Sequence, residues 1–353
     1  MNVSPGSPIR VLDVGEDARE RWDKYVSDQA TGNVLQSWGW GELRRRYGWT
    51  IFRLAAVRDE PESQWTGAVQ VLRQTIGPAG LGWGYAPQGP VLSSLADQES
   101  CRALLEGAAA RLRKQRAFQL KCDPEWPVDS PEADSLRSRC HLRPARFDVQ
   151  HRQTWLVDLE GGADALWGRI PSATKYCVRV SEREGVVVTA EQSPEAVSTF
   201  YSLHTQTVDR KQLHTRPLSY YQAAAEELGA TIFIASYKGE PLAGGLTVAF
   251  GRRLVHLFGG TSTAVPRAHA SYAMQWAMMK WGIERGCTLY DMWGVPRRFN
   301  RADPAHGYAK FKTKWSGHLA SYSGLMIAPV LGSLDPLIHG IEALMLRRRP
   351  LLR

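Results

Sequence analysis

The chain has 353 residues, of which 43% are hydrophobic and 22% charged, so it is expected to be globular and to form two domains. Lys and Arg number 44 against 35 Asp and Glu, and the resulting charge of +9 favours an anionic partner such as nucleic acid, a phosphate-bearing metabolite or an anionic membrane surface. The five cysteines form no CxxC pair, and neither a signal peptide nor an apolar run of membrane-spanning length is expected, which favours a cytoplasmic protein without a zinc site.

The first half of the chain predicts three strands, a helix and a closing strand. The helix is indicated by Leu104, Leu105, Ala108 and Leu112, which recur at helical spacing, and the strands by short runs of alternating or continuous apolar residues. The predicted strands cover residues 52–57, 66–75, 82–86 and 118–123, and the helix covers residues 98–116. The region between residues 123 and 146 is rich in Pro, Ser and Arg and is interpreted as a connection.

The second half predicts the same order of elements about 170–180 residues later, which indicates a structural repeat despite negligible identity between the copies. Its strands are expected at residues 231–238, 243–250, 254–259 and 288–292, and its helix at residues 272–285. Gly286 ends that helix, and Gly239, Glu240 and Pro241 form a turn. An apolar helix with a basic tail is expected near the end of the chain, at residues 335–346.

Both closing strands end at or near a carboxylate, Asp123 in the first copy and Asp291 in the second. The ends of strands are where α/β folds usually place their chemistry, although either carboxylate could instead stabilise a loop.

Several segments, in this order along the chain, carry a resemblance to a known family. They are QSWGWGELRRRYGW (residues 36–49), YAPQGPV (85–91), LKCDPEW (120–126), TKYCVRVSEREGV (174–186), and the pair ERGCTLYDMWGVP (284–296) and GYAKFKTKWSG (307–317). Together they resemble the Fem (FemABX) peptidoglycan-bridge transferases. The sequence departs from the family pattern at Gln88, where many members have Arg, and at Cys122, where many have a small aliphatic residue.

The resemblance implies an α/β fold with mixed sheets, arranged as two tandem acetyltransferase-like (GNAT-type) domains without a helical-hairpin arm. The expected first domain covers residues 1–147 and is completed by the C-terminal segment 322–353, whose helix packs back onto it. The expected second domain covers residues 148–321.

The implied activity is transfer of an amino acid from aminoacyl-tRNA to an amine of a peptidoglycan precursor, either lipid II or UDP-MurNAc-pentapeptide. An alkyl amine has a pKa of about 10.4, so it must lose a proton before or during attack. The tetrahedral intermediate also needs its oxyanion stabilised. The tRNA ester is already activated, so neither a metal nor another cofactor is required. The resemblance assigns Lys312 as the functional cation near the tRNA end, and Asp123 is the candidate proton acceptor.

Further residues are expected to bind substrates. Lys175 and Arg179 are spaced to share one face of a helix, where they could hold a diphosphate or could pair with Glu182 and Glu184. Trp38 and Trp40 share a face if that segment is extended, and could stack on a base or sugar or pack in the core. The complete expected set is Trp38, Trp40, Tyr85, Gln88, Gly89, Lys175, Tyr176, Arg179, Asp291, Trp293, Phe311 and Lys314.

Two alternatives remain open. A coenzyme-A-dependent N-acyltransferase would share the domain type, although the loop from Arg267 to Tyr272 lacks the glycines of a pyrophosphate cradle. A non-enzymatic RNA-binding protein would fit the charge, but no recognised nucleic-acid motif is present and DNA is not an expected partner. The basic C-terminal helix could pack against the body of the protein with a solvated tail, or could contact anionic lipid at the inner face of the plasma membrane.

Overall fold

The computed structural model describes residues 8–58, 64–76, 80–212, 214–296 and 306–330. The chain divides into two compact units: unit 1 is Met1–Arg152 together with Ser321–Arg353, and unit 2 is Gln153–Ala320. The helix expected at residues 335–346 lies outside the described residues.

The strand-strand-strand-helix-strand order is present in unit 1, as the sequence pattern predicts. It consists of β2 (Thr50–Arg58), β3 (Trp65–Ile76), β4 (Leu81–Ala86), α3 (Gln98–Lys114) and β6 (Ala117–Cys122). Strand β3 pairs antiparallel to both β2 and β4. Helix α3 then crosses over the sheet, and β6 pairs parallel to β4. A parallel neighbour requires such a crossover, which explains the helix between the two strands.

Helix α3 forms because its start is capped and one of its faces is apolar. The Asp97 side chain accepts a hydrogen bond from the Ser100 N–H, and Leu104, Ala108 and Leu112 are completely buried against the sheet. Burying a leucine side chain stabilises a fold by about 1.5–3 kcal/mol, so this face holds the helix against β2, β3 and β6.

The remaining elements of unit 1 extend its sheet on both sides. They are β1 (Ile9–Asp13), α1 (Arg19–Asp28), α2 (Trp38–Arg46), β5 (Val91–Leu92), α4 (Pro131–Arg139), β7 (Arg143–Pro144) and β15 (Met326–Pro329). The sheet order is β1-β2-β3-β4-β6-β15-β7, with β5 paired to β3. Strand β15 therefore returns from the far end of the chain and pairs antiparallel to β6.

The interpretation of residues 123–146 as a connection is wrong. This segment contains α4 and β7, and its residues Trp126, Leu136 and Leu142 are buried in the core of unit 1. Helix α4 starts where the Ser130 side chain accepts from the Ala133 N–H and Pro131 occupies the first turn. The same Pro and Ser residues that indicate a loop are the start signal of this short helix.

Unit 2 contains the second copy of the order. It consists of β10 (Thr231–Tyr237), β11 (Glu240–Phe250), β12 (Arg253–Thr261), α9 (Ala270–Glu284) and β13 (Leu289–Val295), with antiparallel, antiparallel and parallel pairing as in unit 1. The other elements are β8 (Gln153–Asp158), α5 (Gly162–Arg169), α6 (Ser172–Arg183), β9 (Val186–Glu191), α7 (Pro194–Lys211), α8 (Leu218–Leu228), α10 (His306–Lys312) and β14 (His318–Ser321). The sheet order is β14-β8-β13-β12-β11-β10-β9.

Helices α7 and α8 fill the segment between β9 and β10. Helix α7 packs on β11 and β12, where Phe200 and Leu203 lie against the backbone of Gly244. A Cβ atom at Gly244 would come within 3.1 Å of the Leu203 side chain, so Leu203 would have to move slightly to admit it. The segment is thus used to cover the sheet, and the described part of unit 2 has no projecting hairpin arm.

Candidate active site

In unit 1 the strongest candidate is Asp123, which directly follows β6 at the carboxyl end of the parallel β4–β6 pair. Its side chain is buried, Oδ2 accepts from the Tyr85 hydroxyl at 2.7 Å, and Oδ1 accepts from the Gln88 N–H at 2.7 Å. Burial raises the pKa of Asp123 to about 6, and the hydrogen bonds from Gln88, Tyr85 and the Gln150 backbone limit the rise. A carboxylate with this pKa is mostly ionised at neutral pH and is a competent proton acceptor.

The loop after β4 is held in place by Gln36. The Gln36 side chain donates to the Pro87 carbonyl at 2.7 Å and accepts from the Gln70 N–H at 2.7 Å. A Cβ atom at Gly89 would lie 2.7 Å from Gln36, so the close approach of the loop requires glycine there. Gln88 has φ 49°, and its side chain is buried with Oε1 making no hydrogen bond within the described structure.

Trp38 and Trp40 both lie in α2, so they do not share a face. Trp38 is 3% exposed, and the Arg53 guanidinium stacks on its ring at 3.4 Å from the centroid. Arg53 is in turn bound by Gln70 and Glu42, so the ring is enclosed. Trp40 is half-buried and packs near Tyr85 in a small apolar cluster. The structure therefore uses Trp38 for packing and leaves Trp40 the more accessible of the two.

In unit 2 the parallel strands β12 and β13 separate. Their pairing runs from Arg253↔Leu289 to Val255↔Asp291 and stops there, although the strands continue to Thr261 and Val295. Asp291 stands at this point, and its carboxylate accepts from Arg253 at 2.6 Å, from the Trp293 N–H at 2.8 Å and from the Thr154 hydroxyl. The opening after these residues is the second candidate site.

Lys312 enters this opening from α10. Strand β13 has a bulge opposite β8 at Met292 and Trp293, and Trp293 has φ 66°. The bulge directs two carbonyls at the lysine, whose Nζ donates to Trp293 O at 3.0 Å and to Gly294 O at 2.8 Å. Burial lowers the pKa of the Lys312 ammonium to about 7, an effect opposed by Asp291 and increased by Lys211.

His256 is the first residue of β12 beyond the paired region, and the sequence patterns gave no indication of it. The Tyr290 hydroxyl donates to Gln275 Oε1 at 2.6 Å, and Gln275 Nε2 lies 3.2 Å from His256 Nδ1. The tautomer decides the roles: if the Gln275 amide donates to Nδ1, the ring proton is on Nε2. Nε2 is buried and has no hydrogen-bond partner among the described residues.

Burial and the Lys312 charge lower the pKa of His256 to about 4, against smaller opposing effects of the Phe258 carbonyl and Asp291. The ring is therefore neutral at physiological pH. A neutral imidazole with a free N–H is suited to donate a hydrogen bond to a polarised carbonyl.

Lys175 and Arg179 lie on α6, as their spacing predicts, and both contact the ring of Trp167, at 5.9 and 5.6 Å from the centroid. Neither forms an ion pair with a carboxylate in the part of the chain that the structure describes. Tyr176, on the same helix, is 62% exposed. The Thr174 hydroxyl donates to the Lys314 carbonyl at 2.7 Å, so the first turn of α6 contacts the segment after α10.

The other two expected residues near Lys312 have packing contacts. Phe311 lies against Tyr272 and Trp315 at ring-centroid distances of 5.1 and 6.4 Å, and Lys314 Nζ donates to the Tyr272 hydroxyl at 2.8 Å. Tyr272 belongs to the first turns of α9, so these contacts fix α10 against the start of that helix.

Within the described ranges no three His, Cys, Asp or Glu side chains are grouped as metal ligands, and no helix is long and apolar enough to cross a membrane. Proton transfer and hydrogen bonding are the chemistry that the residues of both candidate sites can supply.

Solved structures of similar proteins define the fold class. The structure of FemX superposes with a TM-score of 0.84 and 20% identity over 94% of this chain and 100% of that chain. A tandem GNAT protein from the clavulanic acid biosynthesis pathway superposes with a TM-score of 0.52 and 11% identity, covering 92% and 99%. The fold is therefore that of the tandem acetyltransferase-like proteins, with two mixed sheets.

The sequence comparisons then define the family. The FemAB family model matches residues 18–139, 140–236 and 226–339, and the chain belongs to the FemAB family of aminoacyltransferases. The UDP-N-acetylmuramoylpentapeptide-lysine N(6)-alanyltransferase of Weissella viridescens is 25% identical over 293 residues, which are 79% of this chain and 84% of that protein. The lipid II:glycine glycyltransferase of Staphylococcus aureus is 22% identical over 384 residues, covering 86% and 89%.

Proposed function

We propose that this protein transfers an aminoacyl group from aminoacyl-tRNA to an amine on the stem peptide of a peptidoglycan precursor, building the interpeptide bridge. The amine nitrogen attacks the ester carbonyl carbon, a C–N bond forms and the C–O bond to the tRNA ribose breaks. The proton lost by the amine ends on the ribose oxygen. The products are an amide-linked residue and an uncharged tRNA, so the atoms balance without an oxidant or reductant.

The observation that carries the proposal is the Lys312 ammonium, held by the Trp293 and Gly294 carbonyls in the opening of unit 2 beside neutral His256. A cation and a free imidazole N–H together provide what a developing oxyanion requires. Both groups are preorganised, since Lys312 has two fixed acceptors and His256 is fixed by Gln275. In this proposal they polarise the ester carbonyl and stabilise the tetrahedral intermediate.

Asp123 is proposed to take up the proton that the ammonium form of the amine must lose before it can attack. Its pKa of about 6 leaves it ionised at pH 7, and the hydrogen bonds from Tyr85, Gln88 and the Gln150 backbone orient the carboxylate without neutralising it. The buried Gln88 side chain brings no positive charge to this site, in contrast to the Arg of many family members. A substrate amine that enters unit 1 in its ammonium form therefore meets a carboxylate that can take its proton and no added positive charge.

Lys175 and Arg179 are proposed to bind phosphate, because they lie together on Trp167 and no described carboxylate neutralises them. Tyr176, Trp40, Tyr85, Gly89 and Lys314 are proposed to shape the surrounding surfaces. The precursor is lipid II or UDP-MurNAc-pentapeptide, in line with the substrates named for the two relatives. Action on lipid II would place the protein at the inner face of the plasma membrane.

The direct test combines purified protein, tRNA charged with Gly, Ala or Ser, and either precursor, with detection by mass spectrometry. The expected product is heavier by one amino-acid residue, and the donor and precursor that yield it define the substrates. Lys312→Ala should lower the rate by at least about a hundredfold, whereas Lys280→Ala, which removes an exposed lysine of the same unit, should not. Absence of product with every donor and precursor would refute the proposal.

The coenzyme A alternative is tested in the same series. Helix α9 begins at Ala270 after His269, which has φ 50°, and the preceding turn Pro266–Ala268 contains no glycine. A backbone without glycine is poorly suited to wrap a pyrophosphate. Calorimetric titration with acetyl-CoA should therefore detect no tight binding, and tight binding without amino-acid transfer would favour the acyltransferase instead.

A further inference from the structure

A second lysine in unit 2 lies next to the candidate active site. Lys211 is the last residue of α7, and Lys312 is the last residue of α10. Both ammonium groups lie 5.0 Å from the ring centroid of Tyr308, so their nitrogens are at most about 10 Å apart. The adjacent Arg210 donates to the Thr261 carbonyl at the end of β12. Arg210 thus lies near Lys211, and the two lysines share the ring of Tyr308.

No carboxylate in the described ranges forms an ion pair with either lysine. The charge of Asp291 raises the pKa of Lys312, but the Asp291 oxygens are already bound by Arg253, Thr154 and the Trp293 N–H. Lys211 is half-buried, and its pKa is lowered by burial and then by the charge of Arg210. The pKa of Lys312 is lowered in turn by the charge of Lys211. The two ammonium groups therefore repel each other and have no neutralising partner in the described structure.

The position of Lys211 at the end of a helix offers a purely structural explanation, because a cation stabilises the negative end of the helix dipole. That explanation accounts for one lysine in the last turn of α7. It does not account for a second lysine, from another helix, on the same tyrosine ring. Keeping two partly buried like charges together is unfavourable unless an anion joins them or one lysine gives up its proton.

We propose that Lys211 and Lys312 form a two-lysine clamp, arranged around Tyr308, that binds a phosphate group of a substrate. Two of the three Lys312 donors already bind the Trp293 and Gly294 carbonyls, so one remains for a phosphate oxygen, and the Lys211 ammonium can donate to another. The proposal rests on the proposed function, which supplies two phosphate-bearing substrates, RNA and the precursor diphosphate. Lys211 would then be a binding residue that assists Lys312, and neither the sequence motifs nor the family resemblance assigns it.

The test measures binding of two probes to the full-length protein by fluorescence anisotropy. One probe is an uncharged RNA hairpin with a single-stranded 3′ end, and the other is fluorescent UDP-linked pentapeptide. Lys211→Gln should weaken one probe about tenfold, and Lys211→Arg should retain most of the affinity. If the RNA is the ligand, the plot of log affinity against log salt should also become less steep, by the amount that corresponds to about one phosphate contact. Lys280→Gln is the matched control, because Lys280 is an exposed helical lysine that contacts Trp276 in the same unit.

A loss confined to the RNA supports the clamp and assigns the phosphate to the donor, whereas a loss confined to the UDP-linked probe supports it and assigns the phosphate to the precursor. Unchanged affinity for both probes in Lys211→Gln, or an equal loss in Lys280→Gln, would overturn the proposal. If Lys211→Gln does not fold, the proposal is tested instead by NMR of the wild-type protein with isotopically methylated lysines, which measures the pKa of Lys312 with and without probe. Probe binding should raise the pKa of Lys312, and no change on saturation would overturn the clamp.

Failure of the clamp and failure of the proposed function are distinguishable. If the protein transfers an amino acid but Lys211→Gln binds both probes normally, only the clamp is wrong. If it transfers none but Lys211→Gln weakens probe binding, the clamp stands and the reaction assignment is wrong.

Discussion

Arg253 and Asp291 form a buried ion pair, with 2.6 Å between the guanidinium and the carboxylate, at the point where β12 and β13 separate. Each residue belongs to one of the two strands. The same carboxylate accepts from the Trp293 N–H at 2.8 Å, so it also secures the bulge whose carbonyls hold Lys312. Asp291 is therefore an anchor for the site, and its charge is fully engaged before any substrate binds.

This engagement predicts that Asp291 acts mainly through stability. Asp291→Ala removes the buried carboxylate to which Arg253 is paired and should lower the free energy of unfolding by about 3–5 kcal/mol, measured by chemical denaturation. Arg252→Ala is the matched control, because the adjacent Arg252 forms only an exposed pair with Glu160 at 3.9 Å and should cost less than about 1 kcal/mol. Equal destabilisation by the two variants would contradict this role.

Asp123 is predicted to act through chemistry. Asp123→Asn keeps the shape of the side chain but cannot accept the amine proton, so the turnover number should fall by about 10²–10⁴-fold in the transfer assay. Tyr85→Phe removes one donor to the carboxylate and keeps the acceptor, so its effect should be much smaller. Similar activities for Asp123→Asn and the wild-type protein would exclude Asp123 as the base.

The raised pKa of Asp123 also predicts a pH dependence of stability. In the unfolded chain the carboxyl loses its proton near its ordinary value of 3.8, whereas in the fold it keeps the proton up to about 6. Between these values the folded state holds more protons, so the contribution of this group to stability falls as pH rises. Asp123→Asn should remove this part of the slope, which denaturation at pH 4, 5, 6 and 7 will measure.

Much of the architecture was predictable because it depends on local patterns. Leu104, Ala108 and Leu112 recur at helical spacing and do form the buried face of α3. Both copies of the strand-strand-strand-helix-strand order are present with matching directions. The segment containing α4 was misassigned because Ser130 and Pro131 suit a helix start as well as a loop.

The surroundings of the candidate residues were harder to predict, because they depend on contacts distant in the chain. The pattern of residues 307–317 allows both a helix and a strand, and only the bulge at Trp293, a non-glycine residue with positive φ, turns two carbonyls towards Lys312. His256 lies in an ordinary apolar strand pattern, and its partner Gln275 is on another element. Sequence spacing contains no information about either contact.

Lys312 provides a prediction of pH dependence. Its pKa of about 7 reflects burial first, the opposing charge of Asp291 next and the like charge of Lys211 after it, with neutral His256 alongside. Because the cationic form binds anions, the affinity for the RNA hairpin should fall as pH rises above about 7 and level off once Lys312 is neutral. Lys312→Arg remains charged throughout and should abolish this decline, and an unchanged decline would show that another group titrates.

His256 provides the sharpest test of the unit 2 site, because a donor role depends on one nitrogen. His256→Leu removes the Nε2–H and should lower the turnover number by about 10²–10³-fold, the usual loss when one oxyanion donor is removed. His256→Gln can place an amide N–H near the same position and should recover part of that loss. His318→Leu, at an exposed histidine of β14, is the control and should leave the rate unchanged. If His256→Leu kept full turnover while Lys312→Ala lost it, the ester carbonyl would be polarised by the lysine without the imidazole.

Tyr290→Phe addresses the tautomer, since losing the hydroxyl frees the Gln275 amide to rotate and to present its oxygen to Nδ1. That rotation would move the ring proton to Nδ1 and remove the Nε2 donor, so Tyr290→Phe should share much of the loss of His256→Leu.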